Sequence, residues 1–516
     1  MRINREFSYW WVKPALSGLL FGLSRLPLHL GFLIFFAFIP LFSWLNESTK
    51  FQRNIRFGLI FSLLYTSTTL HWITLPTTSL VSGFWVVLAV GAGTLLGLYF
   101  LFWVYFSILF GLMKIIWQSL PRYKLFGFLC LWIGFEFIQN YGPLIFPWFN
   151  AGYSLANYTP LIQVAELGGV FLVSTIVIIV NMALYYFPIR PRQNIILLLI
   201  LIALWFTFGL VRQKTLPVTE SETTFGLVQP SIPQNLKWES SRLDSILILY
   251  SDMSEQAAES GVSLIIWPES AVPLTVLRDV HGNRFVKKLS RKLSTPIFTG
   301  FPHFDYAPRN HHELYLYYNA AAQVNPDETI DNPYYKILLV PFGERTPLLD
   351  TIPLLWNIQM GQANFQYGTK PVYYSVNGIK YSPLICFEIL FPRLSRAIAE
   401  ADFVINITND AWFRRSAGPY QHSMMTKFRA VEIRRQFVRV ANSGYSFSVS
   451  PNGKIQHSTK LFDKTVIIAP FIQCEIKTLF VRGGYWFAPV MGILGLILFV
   501  AALFKRYLNF GGTLSQ

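Results

Sequence analysis

Long apolar runs with short polar connections fill the first 211 residues of the chain. A membrane crossing needs about 20 apolar residues. Seven stretches come near that length: 12–27, 30–46, 57–75, 82–113, 125–141, 160–187 and 194–211. An eighth, 484–504, lies close to the C-terminus. Stretch 82–113 is long for one crossing, so it is expected to tilt or to divide into two helices, with Gly91, Gly93 and Gly97 admitting close neighbours. Between the seventh and eighth stretches the pattern changes. Apolar runs of strand length fall at 224–229, 262–267, 296–300, 336–340, 381–387, 402–407, 438–442 and 445–449. Helical spacing falls near 240–260, 281–293 and 421–434. Such alternation predicts α/β layers. The expected organisation is a seven-span membrane domain over 1–211, an α/β domain over 212–483, and a last span with its tail over 484–516.

Composition agrees with a membrane protein. The 516 residues are 53% hydrophobic and only 14% charged, where soluble domains carry about 25% charged residues; the mean hydropathy is +0.39. The net charge of +16 does not point to nucleic acid, because no basic stripe of a nucleic-acid-binding kind is present. The excess flanks the spans instead. Arg2, Arg5 and Lys13 precede the first; Lys50, Arg53 and Arg56 follow the second; Lys114, Arg122 and Lys124 follow the fourth. Arg190 and Arg192 follow the sixth, and Lys505 and Arg506 the eighth. Connections 76–81 and 142–159 carry no Lys or Arg, and the first turn carries only Arg25. This alternation predicts cytoplasmic termini and places 212–483 on the far side of the membrane. More spans follow the N-terminal stretch, so it is not read as a cleaved signal peptide.

Three residues carry the chemistry. Cys386 ends the apolar run Leu384-Ile385, Glu269 follows Leu264-Ile265-Ile266-Trp267-Pro268, and Lys336 precedes Ile337-Leu338-Leu339-Val340. A base, a cation and a thiol at the edges of buried strands are the parts of a covalent acyl-transfer site. Taken singly each has a plainer reading: a free cysteine usually packs as a small hydrophobe, and a charged residue often just flanks a strand. Three cysteines do not make a disulfide scaffold. Cys130 reads as packing within a span, and a Cys386–Cys474 bridge would consume the reactive thiol. His311-His312 has no thiol nearby and reads as a loop, so neither metal nor cofactor is expected. Glu136, inside the fifth span, is expected to serve as a structural partner for polar groups between helices.

In combination, Trp267-Pro268-Glu269-Ser270, Lys336 with Leu339-Val340-Pro341-Phe342-Gly343-Glu344, and Ile385-Cys386-Phe387-Glu388 resemble the Glu-Lys-Cys signatures of the nitrilase superfamily. Together with the membrane half the chain resembles the apolipoprotein N-acyltransferase family. Further matching stretches are Val228–Gln234 with Lys237-Trp238, Asn406–Phe413 and Gly418–His422. In the membrane half they are Trp132 with Glu136, Phe146-Pro147-Trp148 and Ala165–Gly169. The chain departs from the family at Leu338, where a His is common, at Phe387, where a Tyr is common, and at Arg414-Arg415, where Gly-Asp is common.

The resemblance implies an αββα sandwich beside about eight transmembrane helices. It implies a phospholipid acyl donor and, as acceptor, the α-amine of a diacylglyceryl-cysteine at an apolipoprotein N-terminus. The expected catalytic residues are Glu269, Lys336 and Cys386. Glu344, Glu388 and Phe387 support them, the two carboxylates by orienting Lys336 and the incoming amine. Trp238, Trp412, Asn319 and Trp148 are expected at the substrate. The implied setting is a monomer in the bacterial inner membrane with a periplasmic catalytic domain. Two other readings stand beside this one: a membrane-anchored amidase or hydrolase of the same superfamily, and a polytopic transporter or receptor without a reaction. The intact Glu-Lys-Cys order argues against the second.

Overall fold

The computed structural model describes residues 10–47, 51–78, 83–189, 191–309, 314–352, 354–355 and 364–513. Arg2, Arg5, Lys50, residues 79–81, Arg190 and His311-His312 lie outside the described residues. The chain divides into two compact units, one of Met1–Asn140, Phe146–Lys214 and Arg482–Gln516, the other of Tyr141–Ile145 and Thr215–Val481.

The first unit is helical. Among the described residues, four helices are long and apolar enough to cross a membrane: Phe84–Ser119, Ala165–Tyr186, Pro191–Thr215 and Gly484–Leu508. The other apolar stretches also hold helices, over Val12–Ser24, Ile39–Glu47, Phe51–Leu70 and Lys124–Ile138. Stretch 82–113 neither ends at 113 nor breaks, because Phe84–Ser119 is one continuous helix. The break falls instead in Ala165–Tyr186, where Gly168 leaves helical geometry and Gly169 adopts φ 70°, a conformation that glycine tolerates. Of the three glycines expected to admit close neighbours, Gly91 would bring a Cβ to 3.3 Å from Thr78 Cγ2, whereas at Gly93 and Gly97 no atom of the described residues lies within 4 Å of where a Cβ would sit. The close approach belongs to Gly134 and Gly492, where a Cβ on Gly134 would lie 2.7 Å from the Gly492 Cα. Buried Glu136 accepts from Trp132 Nε1 at 2.9 Å and from the Ala151 N–H at 2.8 Å, so it ties a helix to the loop after it.

Among its described residues the second unit contains two six-stranded sheets. The strands are β1 (Thr219–Gln229), β2 (Leu264–Ile266), β3 (Ile297–Tyr306), β4 (Tyr315–Val324), β5 (Tyr334–Tyr335), β6 (Tyr374–Val376), β7 (Ile379–Ile385), β8 (Phe403–Thr408), β9 (Gln436–Ala441), β10 (Phe447–Val449), β11 (Ile455–Gln456) and β12 (Thr465–Gln473). Their orders are β12-β1-β2-β3-β4-β5 and β11-β10-β9-β8-β7-β6. At the centre of each, β1-β2-β3 and β7-β8-β9 run parallel. Successive side chains leave a strand on opposite faces. Phe225, Leu227, Leu264, Ile266 and Phe298 therefore meet Ile385, Phe403, Ile405, Ile407 and Val438 between the sheets. The alternate residues Val228, Ile265, Ile297 and Phe301 pack with Ile246, Tyr250 and Met253 of the helix Leu243–Glu259, and with Val286 of the helix Val280–Leu293. Burial on both faces explains why these strands read as unbroken apolar runs. The helix Ala417–Ile433 belongs to the same unit, and its residues are almost all buried. The layers form an αββα sandwich.

Run 336–340 is not a strand: β5 stops at Tyr335, and the loop that follows satisfies its N–H groups in another way, described below.

Candidate active site

The nucleophile candidate stands on a sharp elbow. β7 ends at Ile385, and Cys386 has φ 51°, in the left-handed region that costs a non-glycine residue about 1–3 kcal/mol. A 3-10 turn, Cys386–Leu390, starts there. Glu388, fully buried, holds the elbow. Its Oε2 accepts from the Ile385 N–H at 2.7 Å, the carboxylate half of a capping box. Its Oε1 accepts from the N–H groups of Ile337 at 2.6 Å and Leu338 at 3.1 Å, and the Tyr334 hydroxyl lies 2.8 Å from both oxygens. Glu388 is expected from the sequence to orient the lysine and the incoming amine; its hydrogen bonds bind the loop that carries Lys336 to the cysteine elbow.

That loop presents Lys336. The Lys336 Nζ lies 2.8 Å from Glu344 Oε1 and 3.6 Å from Glu269 Oε1. Glu344 Oε2 also accepts from the Val340 N–H at 2.9 Å, so Glu344 fixes both the ammonium and its loop. Asn319, on β4, donates through Nδ2 to Glu269 Oε1 at 2.7 Å and to Glu344 Oε1 at 3.0 Å, and its main-chain carbonyl receives the Lys336 main-chain N–H at 2.9 Å. Asn319, expected at the substrate, uses its amide N–H groups to hold the two carboxylates side by side around one lysine. The other oxygen of Glu269 accepts from the Asn409 N–H at 2.9 Å.

The charges act on one another. Burial pushes the Cys386 thiol well above the usual range; Glu269 adds to the rise, and Lys336 opposes it. Burial and Glu269 thus favour the protonated thiol, and Lys336 favours the thiolate. Burial works against the Lys336 charge, but Glu344, then Glu269, outweigh it and hold the ammonium above its ordinary value.

A second buried cluster was legible only as stretches that resemble the family. His422, on the helix Ala417–Ile433, has Nε2 at 3.1 Å from the Cys386 carbonyl oxygen and Nδ1 at 3.0 Å from both Asp410 Oδ1 and Arg439 Nη2. Arg439, on β9, also donates to Asp410 Oδ2 at 2.8 Å and to Asn406 Oδ1. Arg439 had no signal, because it interrupts an apolar strand whose partners come from other elements. Lys237, wholly buried, donates to the Glu269 main-chain carbonyl at 3.1 Å.

The aromatic candidates divide. Trp238 is 46% exposed beside buried Lys237, and Trp412 is half-buried in the 3-10 turn Asp410–Phe413. Phe387 is buried with its ring against Phe391. Trp148 lies in the helical unit, buried and stacked on Phe146. Arg414 and Arg415 are exposed, the latter 4.8 Å from the Phe462 ring.

Known proteins match both units. Residues 17–183 match the family described as apolipoprotein N-acyltransferase N-terminal domain, and residues 225–474 match carbon-nitrogen hydrolase. An apolipoprotein N-acyltransferase of Geobacter metallireducens is 32% identical over 96% of this chain and 95% of its own length. That of Rickettsia prowazekii is 31% identical over 94% of this chain and 96% of its own, and that of Aquifex aeolicus 28% identical over 89% and 98%. A solved amidase of the nitrilase superfamily from Nesterenkonia is similar at 18% identity and TM-score 0.37, over 50% of this chain and 93% of that one. With both units matched, and relatives aligned along nearly its whole length, the chain belongs to the apolipoprotein N-acyltransferase family.

Proposed function

We propose that this chain moves an acyl chain from the sn-1 position of a phospholipid to the α-amine of the diacylglyceryl-cysteine that begins an apolipoprotein, through a thioester on Cys386. The observation that carries the reading is the convergence of Glu269 and Lys336, 3.6 Å apart, on a thiol whose charge state both influence. Glu269 takes the thiol proton as sulfur attacks the ester carbonyl. Lys336 and the Phe387 N–H stabilise the oxyanion. The tetrahedral adduct collapses, the ester C–O bond breaks, and Glu269 returns the proton to the departing lysophospholipid oxygen. The amine then attacks the thioester, Glu269 accepts a proton from its nitrogen, the C–S bond breaks to leave the amide, and Glu269 passes that proton to the departing sulfur, which restores the thiol. In this reading residues 1–211 and 484–516 supply eight spans in the bacterial inner membrane, and 212–483 is a periplasmic catalytic domain acting as a monomer. Trp238 and Trp412 line the substrate's approach.

Mass spectrometry of the purified chain tests the reaction class. Incubation with phospholipid alone is expected to leave a long-lived acyl adduct on Cys386, because a thioester shielded from water waits for its amine. A diacylglyceryl peptide with a free N-terminal amine should discharge it as an amide, and the N-acetylated peptide should not. Rapid release of free fatty acid without acceptor, unchanged by the peptide, would point to the hydrolase instead.

A further inference from the structure

The buried cluster on the far side of the nucleophile has a use in the same reaction. Cys386 and Phe387 share one peptide plane, and in a trans peptide the C=O and the N–H point in opposite directions. Whatever holds the Cys386 oxygen therefore also aims the Phe387 N–H. His422 Nε2 lies 3.1 Å from that oxygen. A carbonyl only accepts, so this bond puts the ring proton on Nε2. The opposite nitrogen, Nδ1, lies 3.0 Å from both Arg439 Nη2 and Asp410 Oδ1; with the proton on Nε2 it accepts from the Arg439 N–H, and Asp410 Oδ1 beside it takes its proton from elsewhere. Arg439 is fixed in turn by Asp410, whose Oδ1 also accepts from the Thr408 hydroxyl at 3.1 Å. Burial, then the Arg439 charge, hold the His422 pKa below its ordinary value, in keeping with a neutral ring. The fold leaves room for the arrangement: a Cβ at Gly444 would lie 2.3 Å from Asp410 Oδ2.

We propose that His422 is the positioning residue of the oxyanion site, holding the Cys386–Phe387 peptide so that its N–H faces the reacting carbonyl, with Arg439 and Asp410 fixing the ring. The strained φ of Cys386 makes such a hold necessary, since a peptide on a left-handed residue has an easier conformation to relax into. The inference rests on the thioester reading above.

The full chain in detergent, given phosphatidylethanolamine micelles, allows two measurements on one cysteine. Acylation of Cys386 passes through an oxyanion, whereas its alkylation by iodoacetamide is a direct displacement that forms none. For His422→Ala, acylation at saturating lipid should fall about 10²–10³-fold, with the apparent KM for lipid and the alkylation rate each within about threefold of wild type. His422→Gln, whose amide nitrogen reaches the same carbonyl, should recover at least about tenfold of the loss. His422→Asn, whose nitrogen falls short, should behave like alanine, and it replaces the alanine variant if that one does not fold. Parallel loss of acylation and alkylation, unchanged acylation, or failure of both neutral variants to fold would overturn the proposal in favour of a structural role. Absence of any Cys386 acyl adduct in the wild type would instead overturn the thioester reading, and this proposal with it.

Discussion

At the scale of single residues, the proposed mechanism sets a thiol whose pKa burial raises beside Glu269 as its base. Under that mechanism proton removal accompanies attack, which makes Glu269 as necessary as the sulfur. Cys386→Ser should form no stable acyl-enzyme while remaining folded and inserted, because a serine beside this Glu-Lys pair is a poor nucleophile. Glu269→Gln should slow acyl-enzyme formation by about 10²–10⁴-fold, the usual worth of a general base, as read by adduct mass against time. Asp410 bears on stability. Burial alone would raise its pKa, but Arg439 and then His422 outweigh that and bring it from 3.8 down to about 2. A carboxylate with a depressed folded pKa stabilises the fold above its unfolded value, and that contribution is lost as pH falls through the folded one. It amounts to about 2 kcal/mol here, lost between about pH 4 and pH 2. Unfolding midpoints measured from pH 6 down to pH 2 should show that acid-side loss, and Asp410→Asn should flatten it.

At the scale of elements, the lysine loop and a glycine on a neighbouring strand decide the geometry. Run 337–340 has the composition of a strand, yet the N–H groups of Ile337, Leu338 and Val340 go to the carboxylates of Glu388 and Glu344 and not to a neighbouring strand. Buried N–H groups need partners, and here the partners are side chains that also hold Lys336 and the cysteine elbow. The motif glutamates are thus the struts of the lysine loop. Gly300, on β3, gives Glu269 its place: a Cβ there would lie 2.9 Å from both the Glu269 Cα and the Ser270 nitrogen, and 2.8 Å from Ile407 Cδ1. Two of those atoms are backbone and cannot rotate away. Gly300→Ala should cost about 1–3 kcal/mol of stability through overpacking. It should also lower the rate of Cys386 acylation by displacing Glu269. A thermal midpoint and adduct kinetics on the same variant check both, and wild-type values for both would show that the strand yields freely.

At the scale of the whole molecule, a membrane unit is what the proposed substrates demand. Burying apolar chain gains about 0.8 kcal/mol per methylene, so drawing one chain of about 16 carbons into water would cost on the order of 10 kcal/mol. A catalyst tethered to the bilayer avoids most of that cost. The placement is tested by reporter fusions. A fusion after Arg212 should read as periplasmic and one after Lys505 as cytoplasmic, given the alternation of basic connections. Readouts on the same side would change the number of spans and the compartment of the catalytic unit.

The hydropathy pattern by itself determined the presence of a membrane unit and an α/β unit, because burial in lipid and burial between sheets each leave a characteristic run of apolar residues. It also marked Glu269, Lys336 and Cys386, whose charge or reactivity stands out against apolar neighbours. Only the tertiary structure decided what touches what. Glu388 accepts from residues about 50 positions away as well as from Ile385, Asn319 meets carboxylates from two other segments, and Arg439 reaches His422 and Asp410 across the second sheet. A buried polar side chain takes its meaning from its partners. Those partners are brought together by strand order and turns, which local periodicity does not encode.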